Sequence, residues 1–293
     1  MSYQPLVKQV KRGVGFLTVS SMMLIGGVRA AEAADDLPPI PPRALLQVQG
    51  RPAFVIEPVA AAAGPRPWVW YAPTLGSGLP GKQETWMFQR LLAAGVAIAG
   101  VDVGESYGSP AGREIFQALY AQLTKERGFS PRPVLLARSR GGLMHYGWAA
   151  DHPHCVAGIA GIYPVGNLAS YPGLDRAAPA YGLTSTELSQ QLATFNPIDR
   201  LAWLAAAGVP LLHLHGDHDK VVPLEENSGL LATRYREAGG TMELIVVPGG
   251  GHTGDSSWFE SERLTRFMIE RAQAGAASEV TPTTSETIPG GGG

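Results

Sequence analysis

Three residue types that together can open an acyl bond lie in three separate stretches of the sequence. Ser139 sits in Arg138-Ser139-Arg140-Gly141-Gly142, Asp217 and Asp219 sit in Gly216-Asp217-His218-Asp219, and His252 ends the run Gly249-Gly250-Gly251-His252. A serine hydroxyl is a poor nucleophile at its own pKa. It needs an imidazole to take its proton, and the imidazole needs a carboxylate to hold its tautomer and stabilise its cation. The same region also spells His213-Leu214-His215-Gly216-Asp217-His218, a His-x-His-x-Asp-His pattern whose imidazoles and carboxylate could gather metal around an activated water.

The elements that must position these groups are legible from periodicity. Residues 68–72, 96–103, 133–137, 156–163, 209–215 and 242–247 are near-continuously apolar, which suits strands buried on both faces. Helical stripes lie between them, for instance Ile115, Phe116, Leu119, Tyr120 and Leu123 at 3.6-residue spacing. Strand and helix alternating in this way predict an α/β fold, a mostly parallel twisted sheet with helices on both faces. Chemistry then belongs on the loops beyond the carboxyl ends of the strands. Ser139 follows one predicted strand, Asp217 and Asp219 the next but one, and His252 the last. Residues 165–199 are too long for a plain connection and carry a capping box at Thr184-Ser185-Thr186-Glu187, which predicts a small helical lid.

A serine on a tight strand-to-helix turn, with small residues beside it so that backbones can approach, resembles the nucleophile turn of the α/β-hydrolase superfamily. That signature is Gly-x-Ser-x-Gly; here Ala137 replaces the first glycine, and Gly141 and Gly142 match. The resemblance covers about residues 68–274 and implies an α/β-hydrolase fold with the chain order Ser, Asp, His. By similarity to the family pattern Gly-Asp-x-Asp-x-x-Val-Pro, the orienting acid is Asp219, with Asp217 the fallback. The resemblance further implies that the Arg140 backbone N–H stabilises the oxyanion, with a second donor from Thr74 or Leu75 in the loop after residues 68–72. Arg140 also resembles the arginine that follows the nucleophile in glucuronoyl esterases, so Arg138 and Arg140 are candidates for contact with an anionic substrate. Trp86 and Trp258 are candidate substrate contacts at the mouth.

The metal reading resembles metallo-β-lactamase-like hydrolases, but that family places its motif early and needs further histidines downstream, where only His252 follows here. No metal or other cofactor is expected. His145, His152 and His154 receive no role. The expected reaction is carboxylic ester hydrolysis through an acyl-serine intermediate, with a carbohydrate-linked acyl group as a candidate substrate. A prolyl-oligopeptidase-like serine peptidase is the alternative, ahead of a metal-dependent hydrolase or a non-catalytic binding protein.

The flanks and the composition bound the setting. Lys8, Lys11 and Arg12 precede an apolar run over residues 14–28 and the small-x-small triplet Ala31-Glu32-Ala33, which predicts a removed export signal over residues 1–33 and a secreted or periplasmic enzyme without stable membrane insertion. Residues 34–42 read as a proline-rich lead-in, 43–274 as the folded domain and 275–293 as a Thr/Ser/Gly/Pro tail outside the core. A net charge of −2 with scattered basic residues gives no footprint for nucleic acid. The single cysteine, Cys155, excludes an internal disulfide, so the core must supply the stability.

Overall fold

The computed structural model describes residues 37–60, 64–76 and 78–278. The predicted export signal and the end of the predicted tail lie outside these residues. Eight strands form one sheet in the order β1-β2-β4-β3-β5-β6-β7-β8. They are β1 (Ala44–Val48), β2 (Arg51–Ile56), β3 (Trp68–Ala72), β4 (Ala97–Val101), β5 (Val134–Arg138), β6 (Gly158–Ile162), β7 (Leu211–Gly216) and β8 (Met242–Val247). Strands β3 to β8 pair in parallel, and β1 and β2 add an antiparallel edge joined to β4. This is the α/β-hydrolase arrangement the sequence predicts. The edge hairpin, which turns at Gln49 and Gly50 with positive φ, is not visible in the apolar pattern because β1 is largely exposed.

The helices are α1 (Thr85–Ala93), α2 (Pro110–Ala121), α3 (Gly141–Asp151), α4 (Leu174–Tyr181), α5 (Ser185–Gln190), α6 (Leu192–Phe195), α7 (Ala202–Ala206), α8 (Leu230–Glu237) and α9 (Glu262–Ala277). Alternate residues of a strand point to opposite faces, and both faces are apolar here. Trp68, Trp70 and Ala72 of β3 pack with Phe116 of α2, Trp148 of α3 and Tyr235 of α8. Val69 and Tyr71 of the same strand pack with Phe88 of α1 and Phe267 and Met268 of α9. Burying a large side chain of this kind contributes about 1.5–3 kcal/mol, so the two apolar layers hold the sheet without a disulfide.

Between β6 and β7, α4, α5 and α6 form a separate cap. Its own apolar cluster joins Leu143 of α3 to Val165, Leu168, Ala177 and Leu188. The predicted capping box is formed: Thr184 Oγ1 accepts the Glu187 N–H at 3.2 Å, and Glu187 Oε2 accepts the Thr184 N–H at 2.8 Å. Two buried asparagines hold the base of the cap, Asn227 to the body and Asn196 across its two ends. Asn227 Oδ1 accepts the N–H groups of Gly166 and Asn167, and Asn196 Oδ1 accepts that of Leu168.

Two boundaries differ from the sequence reading. Helix α9 runs to Ala277 rather than ending at 274, because Ala276 is buried and Gly275 lies against the Arg132 carbonyl, where a Cβ would come within 2.6 Å. In the lead-in, Ile40 packs on the α1/α9 layer and the Pro38 carbonyl accepts from Gln89, so that segment is anchored to the core.

Candidate active site

Ser139 stands between β5 and α3 with φ of +49°, a left-handed conformation that is strained for a residue with a side chain. The turn is held on both sides. The Ser139 N–H donates to the Ile162 carbonyl, and the Ser139 carbonyl accepts from Gly142 and Val165. The glycines are required by close approach. A Cβ on Gly141 would sit 2.1 Å from the Ala72 carbonyl oxygen, and one on Gly142 would sit 2.3 Å from that of Val165. Ala137, where the signature has glycine, is buried in the sheet, and its methyl is accommodated there.

The three candidate residues meet. Ser139 Oγ is 2.9 Å from His252 Nε2, and His252 Nδ1 is 2.7 Å from Asp219 Oδ2. A carboxylate only accepts, so His252 carries its proton on Nδ1 and leaves Nε2 as the acceptor facing serine. Burial pushes the Asp219 carboxyl up, but hydrogen bonds from His215 and His252 and from the Val222 N–H outweigh it and hold the group well below the usual carboxylate range. Asp219 Oδ1 also accepts from Val221. Asp217, the fallback acid, instead accepts the Gly249 N–H and so braces the loop that carries His252. The two loops touch through glycines: a Cβ on Gly216 would lie 2.0 Å from the Gly250 carbonyl oxygen. Tyr163 packs its ring against His252 at 4.4 Å between centroids.

The histidines of the rival metal motif are committed elsewhere. His215 Nε2 faces the Val222 carbonyl at 2.8 Å, so it must donate, and its Nδ1 must accept from Ser228 Oγ at 2.8 Å. Ser228 Oγ in turn accepts from His213 Nδ1 at 2.9 Å, and His213 Nε2 accepts from the Tyr146 hydroxyl at 2.7 Å. One chain of donors therefore runs from Tyr146 to the Asp219 loop. Burial, reinforced by His215, brings the His213 pKa down to about 3. Among the described residues no cluster of histidine, cysteine, aspartate or glutamate is arranged to hold a metal ion.

Ser139 and His252 open into a cleft of about 180 Å³ whose walls include Pro73, Leu79, Arg138, Arg140, Tyr163 and Thr253. The Arg140 N–H opens α3 beside the serine and is used by none of the hydrogen bonds that hold the turn. Of the two candidates for the second oxyanion donor, Leu75 is already engaged. Leu75 donates its N–H to the Leu79 carbonyl, closing a local turn. Thr74 and Leu75 both line a neighbouring cleft of about 380 Å³, which adjoins this one at Leu79.

Neither tryptophan reaches the cleft, which corrects the expectation for both. Trp86 on α1 is covered by the Arg90 guanidinium at 3.5 Å. Trp258 is buried under Tyr163 and donates from Nε1 to Thr253 Oγ1, bracing the histidine loop from below. What sequence reasoning missed is Glu84, fully buried behind Arg138 with Oε1 2.6 Å from Arg138 Nη1. Its position two residues before Trp86 carries no motif that could have revealed it. Arg140 is paired differently, with Glu105 at the exposed rim.

A family model described as the prolyl oligopeptidase family matches residues 120–273, just over half of the chain and a span that includes Ser139, Asp219 and His252. No curated protein matches the sequence. Solved structures share the fold. A puromycin-hydrolyzing peptidase of Mycobacterium tuberculosis superimposes with a TM-score of 0.62 at 14% identity, covering 80% of this chain and 39% of its own. The dipeptidyl peptidase 4 of Porphyromonas gingivalis gives 0.63 at 15% identity over 80% and 36%, and the acylaminoacyl peptidase of Pyrococcus horikoshii gives 0.61 at 17% over 80% and 41%. The chain thus spans about two fifths of the length of these structures. On the family match, with the α/β-hydrolase fold around it, the chain belongs to the prolyl oligopeptidase family of serine hydrolases.

Proposed function

We propose that the protein is a serine peptidase that cleaves an amide bond through Ser139, with His252 as general base and acid and Asp219 as the group that orients it. The observation that carries this reading is the continuous set of hydrogen bonds from Asp219 through His252 to Ser139. Ser139 Oγ attacks the carbonyl carbon while His252 Nε2 takes the hydroxyl proton. The oxygen of the tetrahedral intermediate gains negative charge, which the Arg140 N–H stabilises. Imidazolium then gives the proton to the leaving nitrogen, the C–N bond breaks, and an acyl-serine remains. Water, deprotonated by His252, attacks the ester and releases the acid and free Ser139. Family membership favours the amide over the carboxylic ester that the sequence suggests by itself.

Ester hydrolysis is the second reading, favoured by the small volume of the cleft, which suits a short acyl group. Export by residues 1–33, to a periplasmic or extracellular site, belongs to the same proposal and is tested by the N-terminal sequence of the mature protein. The activity test compares aminoacyl p-nitroanilides with p-nitrophenyl acetate and butyrate, for the native protein and Ser139→Ala, with and without EDTA. Anilide hydrolysis that disappears with Ser139 and ignores the chelator supports the peptidase. Activity on esters alone selects the second reading, and activity that survives the substitution but not EDTA rejects both.

A further inference from the structure

The two arginines that flank the nucleophile are held in different ways, and the difference has a chemical meaning. The walls of the Ser139 cleft contain both arginines and no aspartate or glutamate among the described residues. Arg140 reaches outward to Glu105, whose side chain is 44% exposed; such a rim pair is screened and contributes little. Arg138 is held from behind. Its Nη1 meets the fully buried Glu84 at 2.6 Å and approaches the Tyr71 hydroxyl at 3.5 Å, while its face lies over the Phe259 ring at 4.8 Å. Glu84 is in turn fixed by the Tyr71 hydroxyl at 2.6 Å and the Gly81 N–H at 2.9 Å.

These contacts engage Nη1 and one face of the guanidinium, and the Tyr163 hydroxyl also interacts with it from the cleft wall. Nη2 lies 3.8 Å from where a Cβ on Gly254 would stand, and Arg138, Tyr163 and Gly254 all line the Ser139 cleft. A buried ion pair that served packing alone would gain little over an apolar pair, because desolvation offsets the attraction. A pair that aims a planar donor at the space beside a nucleophile has a different use: the side chain is already ordered before a ligand arrives.

We propose that Arg138 is a specificity residue that binds a carboxylate carried by the substrate within a few bonds of the scissile carbonyl, so that the preferred substrates are anionic. This rests on Ser139 being the nucleophile. A guanidinium edge matches the geometry of a carboxylate and forms charge-assisted hydrogen bonds with it. Arg140, already paired at the rim, adds only to the positive field.

The test uses mono-p-nitrophenyl succinate and its methyl ester, in which a neutral methyl ester replaces the carboxylate. The native protein should show a kcat/KM for the free acid at least about tenfold above that for the methyl ester. Glu84→Gln with Arg138→Gln, which removes both charges together, should shrink that ratio about ten- to a hundredfold, the range expected for hydrogen bonds to a charged group. Arg140→Gln should change the ratio less than about threefold by the same reasoning. If the double variant fails to fold, Arg138→Lys keeps the pair with Glu84 and should still shrink the ratio through loss of the planar edge.

A native ratio near one, a ratio unchanged by the Arg138 substitutions, or a ratio that collapses with Arg140→Gln would overturn the assignment. Should the native protein hydrolyse neither ester, the anilide assay with Ser139→Ala decides the Ser139 reading separately, and calorimetric binding of monomethyl succinate against dimethyl succinate decides the role of Arg138 without any chemistry. Tighter binding of the anion that is lost in the variants supports the proposal, and equal binding sinks it.

Discussion

At the scale of single residues, the roles divide between groups that react and groups that hold them. Replacing Ser139 by alanine removes the nucleophile without opening the turn, so kcat should fall at least about a thousandfold. The melting temperature should stay within a few degrees, since the turn is held by backbone bonds. Asp219→Asn is expected to lower kcat by about 10³–10⁴, because an amide can donate to His252 Nδ1 and turn the imidazole to the wrong tautomer. His215 tests the buried chain of donors. His215→Ala leaves the Val222 carbonyl and Ser228 without their partner, which should cost about 2–4 kcal/mol in urea unfolding. It should lower kcat as well, since the Asp219 loop loses a support; unchanged unfolding would mean that the chain is incidental.

At the scale of elements, the nucleophile turn and the cap make opposite demands. The turn depends on backbones that nearly touch, so Gly141→Ala, which drives a methyl into the Ala72 carbonyl, should destabilise the protein by about 2–3 kcal/mol. It should displace Ser139 too, so that activity falls more than stability alone explains; assays below the melting transition separate the two. The cap is held by fewer contacts. Asn227→Ala frees the N–H groups of Gly166 and Asn167 where the chain leaves β6, and is expected to raise KM several-fold with a loss of about 1–3 kcal/mol in stability. Both the turn and the capping box of α5 were legible in the sequence, because a glycine spacing and a Thr-x-x-Glu spacing are local. The asparagine ties were not, because each joins segments about 30 or 60 residues apart and neither partner has a distinctive pattern.

At the scale of the whole molecule, two histidines buried in the core contribute to the response to acid. His145 lies among Trp70 and Phe116, and burial, outweighing the nearby backbone of Trp70 and Leu136, brings its pKa down to about 3, as it does for His213. The unfolded chain takes up both protons near pH 6.5, and the folded chain resists them until about pH 3. The unfolded state therefore binds more protons throughout that window, and stability must fall as the pH drops, by up to about 2.7 kcal/mol per pH unit for two sites. Urea unfolding between pH 7 and 4 should show this slope, and His145→Phe should roughly halve it. The same molecule shows where the sequence stops being informative. Strands β3 to β8, the order of Ser139, Asp219 and His252, and the glycines between them follow from apolar runs and short spacings, which are properties of neighbouring residues. The engagement of Leu75 with Leu79, the burial of Trp258, the exposed edge hairpin, the extension of α9 and the anchoring of Arg138 rather than Arg140 by a buried carboxylate follow from packing. Tertiary structure alone decided these, because the partner of a hydrogen bond or an ion pair is whatever the fold brings near, and proximity in space leaves no periodic trace in the chain.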